Sequence, residues 1–256
     1  MATDGAPSAT ARRVAAYRLG FARVPTPYGD PAADDSLARD VAGNTQVVGS
    51  ESMARYLKGR TVFFDRVVVD AMERGVTQVV SIGAGFDGRA VRYAKPGVRW
   101  WEVDQAPTQS DKRARLSRLD IDARHVSFVP VDLRRPGLAR AVIEAGYQPD
   151  GAGMLLCEGV AVYLDVATFS SVLNEARTLA TVGTRLALSV GTTPTSDAHA
   201  ARRQRFEAVV AGLGEPARSS LNAEDAGPLL AAARWRVAET SERSARAGFV
   251  VAVTDP

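Results

Sequence analysis

From residue 76 onward the chain alternates short apolar, β-branched runs with longer stretches that suit helices. The apolar runs fall at 78–82, 98–103, 126–131, 154–157 and 185–190. Helix-compatible segments at 88–94, 107–119, 137–145 and 166–179 fill most of the gaps. Strands joined by helical crossovers at this spacing predict a parallel sheet covered on both faces. In such sheets ligands collect outside the carboxyl ends of the strands.

Both ends of the chain depart from that rhythm. Helices are expected near 197–212 and 223–233, and two strand-like runs follow at 234–240 and 247–254. Only 241–246 separates those runs, which is too short for a helical crossover and long enough for an antiparallel hairpin. Residues 11–74 read as helical. Segments are expected at 12–22, 35–42, 45–57 and 60–74, with Phe63, Val67 and Met72 recurring at helical intervals in the last. A Pro- and Gly-punctuated loop at 25–31 divides them. The expectation is one structural unit: a helical cap over residues 1–75, an α/β Rossmann-like domain over 76–256, and a lid insertion at about 191–222.

Composition narrows the chemistry. The chain has 256 residues, 46% of them apolar, which is an ordinary globular make-up. A net charge of +3 with scattered basic residues points away from nucleic acid as a partner. Cys157 is the single cysteine and His125 and His199 the only histidines, so neither a disulfide framework nor a Cys- or His-rich metal site is expected. No run approaches the ~20 apolar residues of a membrane span. Residues 1–10 are small and polar, without the apolar core of a signal peptide, so a soluble cytoplasmic protein is the expectation. Oligomeric state is not legible.

The first apolar run ends in a glycine turn, Gly83-x-Gly85-x-x-Gly88, with a helix-compatible segment behind it. That spacing matches the dinucleotide-binding fingerprint. Gly83 and Gly85 are expected to let the backbone approach a ligand and to aim amide N–H groups at it. Asp104 and Glu102 end the second run and lie on one face, so either carboxylate suits a ribose. Asp132, ending the third run, either accepts from an adenine amine, with Leu133 packing on the ring, or caps the helix that follows. Glu158 follows the run beside the switch point and is placed to hold an ammonium or to face substrate. Tyr28 in the Pro-rich loop and His199 in the lid region are the further base or hydrogen-bonding candidates, beside Glu158. Cys157 and Trp235 read as core.

Five blocks together resemble the leucine carboxyl methyltransferase family. They are Gly59-Arg60-Thr61-Val62-Phe63-Phe64-Asp65, residues 78–89 around the glycine turn, Glu102-Val103-Asp104-Gln105-Ala106-Pro107, Val129-Pro130-Val131-Asp132-Leu133, and Cys157-Glu158-Gly159-Val160-Ala161-Val162-Tyr163-Leu164. The resemblance implies the seven-stranded sheet of the class I methyltransferases and S-adenosylmethionine as cofactor. By residue, it implies that Arg60 clamps the methionine carboxylate, that Gly83 sits in the cofactor loop and that Asp104 holds the ribose. It gives Asp132 and Leu133 to adenine and puts Glu158 near the methionine end. Gly88 departs from the pattern, where the family usually carries Thr or Ser.

The leading expectation is a methyltransferase acting on a small metabolite of secondary metabolism. The acceptor atom stays open among a carboxylate or hydroxyl oxygen and the nitrogen or carbon of an aromatic such as an indole. The alternative is an NAD(P)-dependent oxidoreductase, resting on the intact glycine spacing. A third reading is a protein that binds the cofactor without turnover.

Overall fold

The computed structural model describes residues 5–43, 51–192, 196–238, 244 and 247–254. Seven strands form one sheet in the order β3-β2-β1-β4-β5-β7-β6. They are β1 (Gln78–Ile82), β2 (Arg99–Asp104), β3 (Val126–Pro130), β4 (Gly153–Cys157), β5 (Arg185–Ser189), β6 (Trp235–Val237) and β7 (Phe249–Thr254). The first five pair in parallel, and β7 runs antiparallel between β5 and β6. The switch in strand order falls between β1 and β4, both of whose strands are buried along their whole length.

Alternation of side chains splits the core between two faces. On one face Val80, Ile82, Trp101, Leu155 and Leu186 pack under helices α6 (Leu138–Glu144), α7 (Val166–Thr178) and α9 (Ala223–Ala232). On the other, Val79, Trp100, Met154 and Ala187 pack against Phe64, Val68, Ala71 and Met72 of helix α3 (Glu51–Glu73). The sequence pattern breaks α3 near residue 58, yet the helix runs through Gly59 without interruption. A mid-helix glycine costs about 1 kcal/mol. Burying four apolar residues of the following turns outweighs it at ~1.5–3 kcal/mol for each large side chain. The expected start of this region at 45 lies outside the described residues.

The helix α1 (Ala9–Arg18) starts at the Ser8 cap, whose hydroxyl accepts from the Ala11 amide, and stops four residues before its expected end. Helix α2 (Pro31–Ala42) begins earlier than its apolar pattern implies, because Asp30 caps it and Pro31 suits the first turn. With the short α4 (Arg89–Arg92) and α5 (Ala106–Arg118), these helices bury a third cluster around Leu37, Phe86, Val91 and Leu116. Helix α8 (Asp197–Gly212) precedes α9. No described helix is long and apolar enough to cross a membrane.

Candidate active site

A cavity of about 960 Å³ opens over the carboxyl ends of β1, β2 and β4. That lies at the upper end of the ~300–1,000 Å³ typical of small-molecule sites. The floor is the Gly83–Asp87 turn, and the walls come from α1, the first turns of α3, and α8.

The turn is held open by its own hydrogen bonds. The amides of Gly83 and Ala84 donate to the Val103 carbonyl at 2.8 and 3.0 Å, and that of Asp87 to the Ala84 carbonyl at 2.9 Å. The Gly85 amide donates to Oδ2 of Asp104 at 2.7 Å. The expectation that Gly83 and Gly85 aim free N–H groups at a ligand is therefore corrected: those donors are committed within the protein. What the glycines supply is room. Gly83 has φ +70°, and a β-carbon there would run into Cγ2 of Val160. At Gly85, φ +52°, it would stand 2.9 Å from the β-carbon of Ala11.

The structure separates Asp104 from Glu102. The Glu102 carboxylate is buried against the Lys112 ammonium, whereas Asp104 lines the cavity. Burial raises the Asp104 carboxyl above its ordinary range, against the Gly85 and Gln105 amides that favour the charged form. On β3's trailing loop, Val131 and Leu133 line the cavity while Asp132 between them does not. Its carboxylate accepts from the backbone and side chain of Arg134, closing a local turn. The adenine-amine role expected for Asp132 finds no support in this placement; a side chain committed to its neighbour two residues on is surface turn chemistry.

At the other end of the cavity Glu158 meets three guanidinium groups. Its Oε1 accepts from Arg60 Nε at 3.0 Å and Arg18 Nη2 at 2.9 Å, and its Oε2 from Arg89. Burial pushes the Glu158 carboxyl up, but the charges of Arg89, Arg18 and Arg60 outweigh burial and bring it down to about 2. A carboxylate so stabilised is a poor proton acceptor, so the general-base role expected for Glu158 is corrected. Arg89 continues the network to Asp65 and Asp87, and Arg23 joins Asp65 to Asp34. Burial also opposes ionisation of Asp65, yet Arg89 and Arg23 hold it down to about 2.

Tyr28 does not reach the cavity, which corrects its candidacy. Its hydroxyl donates to Glu73 at 2.9 Å, at the C-terminal end of α3, and Lys95 lies over its ring. His199 belongs to helix α8, and its side chain lies outside the described residues. The expected third glycine of the fingerprint has a packing cause: the Asp34 carboxylate fills the space a β-carbon would take at Gly88. The helix behind it, α4, has only four residues.

Sequence reasoning missed Arg18, Asp87 and Glu215. All three line the cavity, and they come from α1, the turn and the loop after α8. Charge alone does not flag a residue in a chain with 32 Lys and Arg, and tertiary convergence is what makes these three a group.

A pyrophosphate needs free amide donors and tolerates no ring of carboxylates. Around this turn, whose Gly83, Ala84, Gly85 and Asp87 amides are committed, the cavity is lined by the carboxylates of Asp87, Asp104 and Glu158. The family model for leucine carboxyl methyltransferase matches residues 17–177. The chain belongs to that family. It is 38% identical over 137 residues to a candidate S-adenosyl-L-methionine-dependent methyltransferase of Frankia alni, covering 52% of this chain and 47% of the relative. A second such candidate, from Mycolicibacterium gilvum, is 30% identical over 202 residues, covering 70% and 66%. The chain thus spans between about half and two thirds of the length of these curated relatives. The crystal structure of a candidate methyltransferase from Thermobifida fusca superposes with a TM-score of 0.62 at 14% identity, over 99% of this chain and 97% of that one. This likeness shows the shared fold, the seven-stranded class I sheet with its antiparallel hairpin. The oxidoreductase alternative is not supported: the family match and the curated relatives are those of methyltransferases.

Proposed function

We propose that this family member transfers a methyl group from S-adenosylmethionine to a small acceptor. The observation that carries the reading is the pairing of charges across one cavity. Arg60 and Glu158 at one end suit the carboxylate and ammonium of a methionine, and Asp104 beside the glycine turn suits the two hydroxyls of a ribose. Gly83 and Gly85 line the same cavity, and the glycine at 83 lets the turn pack directly against Val160. Leu133 and Val131 supply an apolar wall at the same end.

The sulfonium of S-adenosylmethionine supplies an electrophilic methyl, so the protein's work is positioning and exclusion of water. Val14 and Tyr17 of α1, Met53 and Tyr56 of α3, and Phe206 and Val210 of α8 surround the remaining space. These walls favour an acceptor with an apolar body. Glu158 is engaged by three guanidinium groups and is not free to take a proton, and an acceptor already ionised at neutral pH needs no base. A carboxylate-bearing metabolite of secondary metabolism fits best, and the product is then a methyl ester.

Isothermal titration with S-adenosylhomocysteine tests the cofactor. Micromolar binding is expected, with no binding of NADH. The converse result overturns the reading. Incubation with labelled S-adenosylmethionine and a panel of aromatic and aliphatic acids then tests the acceptor. Label should appear in a base-labile ester, and label in base-stable products only would sink the carboxylate assignment.

A further inference from the structure

Glu215 is a buried acid that methyl transfer leaves without a task. It follows α8, lines the cavity and is 2% exposed. A buried carboxylate needs partners, and this one finds them at the start of α1. Its Oε1 accepts from the Ala9 amide at 2.7 Å and the Thr10 amide at 3.4 Å. Its Oε2 accepts from the Ser8 hydroxyl at 3.1 Å and from the Thr10 hydroxyl. The first four amides of a helix have no partner within it. In α1 the Ala11 amide goes to the Ser8 hydroxyl and the Arg12 amide to the Ser8 carbonyl, so Glu215 completes the set. A carboxylate at this end also faces the positive pole of the helix.

This fastening stands apart from Glu158. Helix α1 has ten residues, so its start lies ~15 Å from its Arg18 end. Ser8, Thr10 and Ala11 line the cavity together with Asp104, Gln105 and Thr108. The Ser8 amide donates to the Thr108 hydroxyl at 3.2 Å. The β-carbon of Ala11 lies 2.9 Å from the place where Gly85 would carry one, and the Gly85 amide holds Asp104. Glu215 is close enough to Asp104 for its charge to add to burial in raising that carboxyl. On its own side Glu215 is anchored. Its amide donates to the Val210 carbonyl of α8 at 2.9 Å, and the Arg218 amide donates to the Val162 carbonyl at 2.8 Å. The start of α1 is thus held across one end of the cavity by a carboxylate on a fixed loop. Resting on the methyltransferase reading above, we propose that Glu215 is a positioning residue that latches α1 over the nucleoside end of the cavity, so that cofactor exchange waits on release of the latch. It acts through α1 and touches no reacting atom.

A latch that must open for entry and for exit slows both rates and leaves affinity almost alone. A residue that merely shapes the site changes affinity, chiefly through dissociation. Surface plasmon resonance of S-adenosylhomocysteine over the immobilised full chain reads both rates. Glu215→Gln should speed association and dissociation together by roughly three- to tenfold, with the Kd within about threefold. Thr10→Val, which loosens the latch from the helix side, should shift both rates the same way by less. The double variant should add little to Glu215→Gln, because the two side chains meet in one contact. Faster dissociation without faster association marks a structural role and overturns the proposal, as do unchanged rates in both single variants. Thermal melts establish that each variant is folded, and Thr10→Val carries the comparison should Glu215→Gln not fold. Failure of the unsubstituted protein to bind S-adenosylhomocysteine is a distinct result, which overturns the methyltransferase reading and the latch with it.

Discussion

The Asp34 carboxylate of α2 stands where Gly88 would carry a β-carbon. Asp34 is 4% exposed and is held there by Arg23, at 3.2 Å, and by Arg92. The glycine is thus fixed by an ion pair between the helical N-terminal region and the turn, and not by a ligand's phosphates. Gly88→Ser should destabilise by ~1–3 kcal/mol through overpacking, read as a lower midpoint in thermal or urea unfolding. In a double-mutant cycle, Asp34→Ala should recover part of that loss, because it clears the space. Strict additivity of the two substitutions would contradict the contact.

Asp104 accepts from the Gly85 amide and is the cavity-facing acid of its strand. Asp104→Ala should weaken S-adenosylhomocysteine by roughly 10- to 150-fold, the equivalent of ~1.5–3 kcal/mol for hydrogen bonds to a charged group. Glu102→Gln should instead reduce stability, since it leaves Lys112 buried without its partner charge. Titration calorimetry beside thermal melts separates the two outcomes, and a larger binding loss at Glu102 than at Asp104 would reverse the assignment.

Acid should loosen the buried network. Asp65 and Glu158 have folded values of about 2, below their ordinary 3.8 and 4.5. Because both are depressed on folding, their contribution is complete above pH ~5 and is lost as pH falls through ~4 to ~2. Each contributes on the order of 2–3 kcal/mol at neutral pH. Urea midpoints should be flat from pH 6 to 8 and drop steeply below pH 5. For Asp65→Asn the neutral-pH midpoint should already be lower and the acid slope shallower, and a parallel slope would count against this origin.

Tyr28→Phe should leave S-adenosylhomocysteine affinity and methyl transfer unchanged. The hydroxyl binds Glu73 outside the cavity, where an exposed hydrogen bond is worth ~0.5–1.5 kcal/mol at most. A tenfold fall in transfer with unchanged stability would return Tyr28 to the reaction.

Much of the fold was legible from periodicity. The strands 78–82, 154–157 and 185–190 lie within a residue of β1, β4 and β5, because buried parallel strands are short, apolar and bounded by turns. The closing hairpin followed from a connection too short for a crossover. The local pattern splits α3 in two around Gly59, a helix-weakening residue whose cost only tertiary burial overrides.

For the site, residue order and spacing determined the glycine turn, the strand-end acids and the block around Glu158, since these are local consequences of where strands stop. Three decisions belonged to tertiary structure alone. Glu102 and Asp104 share a face, and only the approach of Lys112 from α5 withdraws Glu102 from the cavity. The intact glycine spacing resembles a pyrophosphate loop, and only the carbonyl of Val103 and the carboxylate of Asp104 show that its amides are committed. Arg18 and Glu158 stand 140 residues apart and meet at 2.9 Å. Spacing along a chain carries information over one turn or one strand, whereas a buried charge is defined by whichever distant partner neutralises it.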